Sequence, residues 1–114
     1  MDKIAFVFAG QGAQAPGMGR DLYDNVPAAR RVMDRAEALR PGTLRQCFEG
    51  PAAELTLTVN AQPCLFLVDY ACALAAREVA GEPSMCAGFS LGEMVAAAFA
   101  GLLPFEDAFG LVIK

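Results

Sequence analysis

Two short apolar runs, Ile4–Phe8 and Met85–Gly88, each open onto a stretch marked by paired glycines, Gly10 and Gly12 after the first and Gly88 and Gly92 about the second, and this pair constrains the fold more than any other feature of the chain. Ile-Ala-Phe-Val-Phe is β-rich and continuously apolar, without the alternation of a strand that has one wet face. Such a run suits a strand covered on both sides, as in parallel sheets. Parallel strands need long crossovers, usually helical, and the intervening sequence reads that way. Arg20–Asn25 reads as a short helix. Pro27–Leu39 reads as a polar-faced helix with proline in its first turn and Pro41-Gly42 beyond its end. Residues 43–59 read as irregular, with short helical turns around Leu44–Phe48 and Ala52–Leu57. Asn60 is placed to cap a long helix reaching about Ala80, with Gly81 as its stop signal. After the second strand come a helix over Ser90–Ala100, a break at Gly101, and a further helix from Phe105 to Lys114. The order β–loop–α…α–β–α gives an α/β fold with a parallel sheet. Two strands are few for such a sheet, so the chain is expected to be incomplete.

At 114 residues the chain is one domain's worth, spanning residues 1–114. Its 55% hydrophobic content exceeds the usual range of about 45–50%, which excludes a disordered chain. The net charge is −4, and the chain lacks the basic footprint of a nucleic-acid binder. Arg30, Arg31, Arg35, Arg40 and Arg45 fall in one stretch, either as a solvated helix face or as a docking point for an acidic carrier or phosphates. Cys47, Cys64, Cys72 and Cys86 show no C-x-x-C spacing and there is no histidine. No metal site is expected, and the thiols read as structural in a reducing, cytoplasmic compartment. The N-terminus reads as a strand, not a signal peptide. Residues 61–80 approach transmembrane length, but Pro63, Asp69, Arg77 and Glu78 interrupt them, so no membrane partner is expected.

The loop after the first run, Gly10-Gln11-Gly12-Ala13-Gln14-Ala15, fits the G-x-G-x-x-A pattern of dinucleotide sites. Pro16 and Gly17 break the helix that should follow, and no acidic residue ends a second strand about twenty positions on. A tight turn, or backbone donors facing an active site, remain the better readings.

The second run leads into Gly88-Phe89-Ser90-Leu91-Gly92, a G-x-S-x-G sequence in the strand–turn–helix context of a nucleophile elbow. Glycines two residues either side of the serine avoid collisions across so sharp a turn. A helix opening there directs free N–H groups and a positive dipole end toward the reacting oxygen. Ser90-Leu91-Gly92-Glu93 is equally a capping box. Capping accounts for Ser90 and Glu93 and leaves both glycines unexplained.

Three blocks, "FVFAGQGAQAPGMG", "NAQPCLFLVDYACAL" and "GFSLGEMVAAAFAGLLPFEDAFGLV", together resemble the N-terminal portion of the malonyl-CoA:acyl carrier protein transacylase family, which includes the acyltransferase domains of fatty acid and polyketide synthases. The resemblance implies an α/β-hydrolase-like large subdomain, with a small ferredoxin-like subdomain expected after the end of this chain. It implies ping-pong transfer of a malonyl or related acyl group from a coenzyme A thioester, through an acyl-serine, to the phosphopantetheine thiol of acyl carrier protein, with no tightly bound cofactor. By position Ser90 is the implied nucleophile, the backbone N–H groups of Gln11 and Leu91 form the oxyanion hole, Gly10 and Gly12 shape the substrate loop, and Gly88 and Gly92 form the elbow. Phe89 stands where the family usually has a histidine that is not the base, and Ala9 and Ala13 replace a frequent proline and serine.

The family's general base is a histidine well beyond the small subdomain, whereas this chain has no histidine. An arginine about twenty-five residues after the serine pairs with the malonyl carboxylate as a bidentate fork, and that position falls just past Lys114. The chain is therefore expected to be a fragment, inactive alone, whose partners include the remaining C-terminal part of the same domain. Two other functions fit the residues: a serine esterase or thioesterase that shares the elbow, and a non-catalytic interaction module in which Ser90 is only a cap.

Overall fold

The computed structural model describes residues 5–8, 15–81, 83, 85–88 and 91–113. Strands β1 (Ala5–Phe8) and β2 (Met85–Gly88) pair in parallel, with Ala5 opposite Met85, Phe6 opposite Cys86, Val7 opposite Ala87 and Phe8 opposite Gly88. Seven helices complete the described chain: α1 (Arg20–Asn25), α2 (Pro27–Leu39), α3 (Thr43–Glu49), α4 (Ala52–Thr56), α5 (Thr58–Ala80), α6 (Leu91–Phe99) and α7 (Phe105–Ile113).

The sheet is dressed on one face. Phe6 and Phe8 turn toward α6, and both rings meet Phe99 at its end. Ala5, Val7, Met85 and Ala87 alternate onto the opposite face and are exposed, Val7 at 71% and Met85 at 66%. The core lies between α2, α5, α6 and α7, where Met33, Phe66, Val95 and Phe109 are fully buried. Phe66 and Tyr70 of α5 stack through Phe105 and Phe109 of α7, with ring centroids 4.9–6.3 Å apart, a spacing at which aromatic pairs attract beyond their burial.

The segment read as irregular between residues 43 and 59 is two regular helices, α3 and α4, separated by Gly50-Pro51. A side chain at Gly50 would run into the backbone of Gln46, so the chain can turn sharply there only without one. The long helix starts earlier than expected. Thr58 opens α5, and Asn60 is its third residue and not its cap. The Asn60 amide instead reaches back to donate to the Glu54 carbonyl at 2.9 Å, while its oxygen accepts from Arg40 and Gln46. Pro63 lies inside α5 and has no N–H to offer the carbonyl one turn back, that of Val59. Arg40 Nη2 reaches the same carbonyl at 3.5 Å, which is how the helix tolerates the proline. Gly81 ends α5 at φ 88° with its N–H on the Arg77 carbonyl. At 23 residues α5 is long and apolar enough to cross a membrane by composition. Here it is the central packing helix, in contact with α2, α6 and α7.

Candidate active site

Parallel pairing with Phe8 opposite Gly88 makes both strands end on the same side of the sheet. The glycine loop that follows β1 and the turn that follows β2 therefore leave from adjacent points. Gly10, Gln11, Gly12, Phe89 and Ser90 lie outside the described residues, and the residues that bracket them carry the geometry. A Cβ on Gly88 would overlap the Gly92 carbonyl group and lie 2.8 Å from the Glu93 nitrogen. The end of β2 and the first turn of α6 are thus in backbone contact. Leu91, 6% exposed, and the buried Gly92 open α6. The first N–H groups of a helix have no intrahelical acceptor and carry the positive end of its dipole. Glu93, exposed in that first turn, complements the dipole from the solvent side.

The far end of the glycine loop is pinned. Gly17 N–H donates to the Cys47 carbonyl of α3 at 2.9 Å. Gly19 adopts φ 83°, and a Cβ there would sit 3.0 Å from Val68 and 3.1 Å from Met33. Three helices thereby hold the stretch leading back toward residues 9–14. Beside this anchor, Cys47 and Cys64 are buried together, and hydrogen bonding with Cys64 plus burial hold the Cys47 thiol far above the ordinary range. All four cysteines are free thiols. Cys86, half-buried, packs against the core, and of the four thiols read as structural only Cys72 is exposed. Among the described residues no cluster of ligating side chains could hold a metal ion.

A cavity of about 330 Å³ adjoins the start of α6, lined by Gln62, Leu91, Met94, Leu111 and Val112. Gln62 is a residue that the motifs left without a role. Its signal is a polar side chain directly before a buried proline, on a helix whose next residues are all apolar. The arginine stretch is largely committed to the fold. Arg30 lies over the Tyr23 ring, Arg35 pairs with Glu106, Arg45 with Glu54, and Arg40 binds Thr43, Gln46 and Asn60.

The sequence matches the acyl transferase domain family over residues 5–114. It is 49% identical over 115 residues to the malonyl CoA-acyl carrier protein transacylase of Bacillus subtilis, covering 100% of this chain and 36% of that protein. It is 40% identical to the polyketide biosynthesis protein ThaF of Burkholderia thailandensis, covering 96% of this chain and 9% of that one. Among solved structures it resembles the Streptococcus pneumoniae enzyme MCAT with a TM-score of 0.91 and 40% identity, over 97% of this chain and 36% of that one. The chain thus spans about a third of the transacylases it resembles, and it belongs to the acyl transferase domain family.

Proposed function

We propose that this chain carries the nucleophile and oxyanion donors of an acyltransferase that moves a malonyl or related acyl group from coenzyme A to acyl carrier protein. Ser90 Oγ attacks the thioester carbonyl and gives its proton to the base, a histidine that the family supplies from the part of the domain this chain does not contain. The tetrahedral oxyanion is held by the N–H groups of Gln11 and Leu91, whose alignment with the developing charge lowers the barrier. Collapse breaks the C–S bond, and coenzyme A leaves as the thiol with the proton returned by the base. The carrier's phosphopantetheine thiol then attacks the acyl-serine ester by the same route, regenerating Ser90.

The observation that carries this reading is the register of Phe8 opposite Gly88. It starts the Gln11 loop and the Ser90 turn side by side, as two donors aimed at one oxyanion require. The cavity beside Leu91 suits the acyl chain. The localisation in keeping with four free thiols is the cytoplasm.

The test follows labelled malonyl after the chain is combined with the remaining two thirds of the Bacillus subtilis transacylase. Transfer to a carrier thiol, with little released to water, is the expected result. Release of malonate at the same rate with and without carrier would make the protein a thioesterase and overturn the proposal.

A further inference from the structure

One face of α2 and one face of α5 look into a cavity of about 330 Å³ that the acyl-transfer reading leaves unused. Arg31 and Arg35 lie one turn apart on α2, and Tyr70, Leu74 and Arg77 recur at helical spacing on α5. Phe105, the first residue of α7, closes a third side. Three helices therefore build this cavity. It lies away from the end of α5 that adjoins the start of α6, where Gln62 stands. Tyr70 to Arg77 are eight to fifteen residues further along that helix, about 12–22 Å at 1.5 Å per residue.

The lining is cationic over an apolar wall. The chain carries nine basic residues against thirteen acidic ones, yet three of the nine line this one cavity and no acidic side chain does. Like charges one turn apart on a helix repel, so Arg31 and Arg35 stand together at a cost. Glu106 pairs with Arg35, while Arg31 has no ion-pair partner among the described residues. Arg77 is positioned by the Phe99 ring, 5.2 Å from its centre. Burial raises the Tyr70 hydroxyl above its ordinary range, and the charges of Arg77 and Arg35 act on it in the opposite sense, so both guanidiniums stand near the phenol. Val32, Leu74 and Phe105 supply the apolar wall. Guanidiniums present planar forks of donors that match phosphate oxygens, and pockets for small ligands begin at about 300 Å³.

We propose that this cavity binds a phosphate dianion, free or as the monoester of a small organic molecule, with Arg31, Arg35, Arg77 and the Tyr70 hydroxyl as its donors. Three guanidiniums and a phenol offer more donors than the two oxygens of a carboxylate can take, and a phosphate group presents more oxygens to share among two helices. The site is separate from the Ser90 turn, and it stands or falls independently of the acyl-transfer reading.

The test uses the 114-residue chain, labelled with heavy nitrogen and followed by two-dimensional NMR of its arginine Nε–H groups. Inorganic phosphate and phenyl phosphate are titrated separately at about pH 7.5, where each is largely a dianion, with sodium chloride adjusted to hold the ionic strength constant. The expected result is a saturable shift of the Arg31, Arg35 and Arg77 signals by at least one anion, half-complete below about 1 mM. Arg45, which pairs with Glu54 outside the cavity, stays unmoved. Phenyl phosphate binding about tenfold tighter or more identifies a monoester whose body meets the apolar wall, and equal binding identifies free phosphate. Arg31→Gln, at an exposed residue without an ion pair in the fold, weakens binding about tenfold or more, and Arg31→Lys, which keeps the charge without the fork, weakens it less. No saturable shift from either anion, a shift that moves Arg45 equally, or undiminished binding to Arg31→Gln overturns the proposal.

Discussion

Gly88 is where a single hydrogen atom in place of a methyl group decides the geometry of the site. The backbone of Gly92 occupies the space a Cβ would need, and neither partner is the flexible end of a side chain. Gly88→Ala must therefore push β2 and α6 apart, and overpacking of this kind costs about 1–3 kcal/mol. A urea titration is expected to show a loss in that range, with Ser90 reactivity falling further because the turn opens. Asp69 offers a test by pH. Its carboxyl is raised from 3.8 to about 6 by burial, so between those values the folded chain holds a proton that the unfolded chain releases. Its contribution to stability is fully present below 3.8 and is lost as pH rises through about 6. Asp69→Asn removes this dependence. The urea midpoint of the variant relative to the parent is expected to rise between about pH 4 and about pH 7, and a constant difference would contradict the assignment.

Among the elements, α2, α3 and α5 meet on one guanidinium. Arg40 Nη1 donates to Thr43 at 3.0 Å and to Gln46 at 2.7 Å, and Nη2 donates to Asn60 at 3.0 Å and to the Val59 carbonyl that Pro63 leaves without a donor. Arg40→Met keeps much of the apolar stem and strips the donors from part-buried acceptors. A loss of about 2 kcal/mol or more is expected by thermal or urea unfolding, and a near-neutral result would mean that water replaces the arginine fully. This node also explains which elements could be read in advance. Helices α1, α2 and α7 and strand β2 carry their own signals in periodicity, proline and glycine placement, and those signals prevailed. The start of α5 and the regular turns of α3 and α4 depend on Arg40, Gln46 and Asn60 meeting across up to twenty residues of chain, which no local pattern encodes. At the site, the spacing of Gly88 and Gly92 was legible because sterics impose it on any sequence making that turn. The place of Gln62 was not, since it depends on what distant elements leave open beside it.

The whole chain packs as tightly as an independent domain. Its radius of gyration of 13.2 Å matches the roughly 13 Å expected for a folded chain near this length. Among the described residues the helices close a core, while the sheet has two strands and exposes Ala5, Val7, Met85 and Ala87 on one face. Alone, the chain is expected to unfold in one cooperative transition and, under the proposed mechanism, to show no detectable acyl transfer until a complementary polypeptide supplies a base. The general base contributes several orders of magnitude in related serine mechanisms. The most direct test of the central claim is the denatured intact mass of the chain after brief exposure to malonyl-CoA with the complementary two thirds of the Bacillus subtilis transacylase present, followed by peptide mapping. A malonyl adduct on the peptide containing Ser90, lost in Ser90→Ala, is the predicted result; an unmodified chain within a demonstrated complex, or an adduct elsewhere, would contradict it.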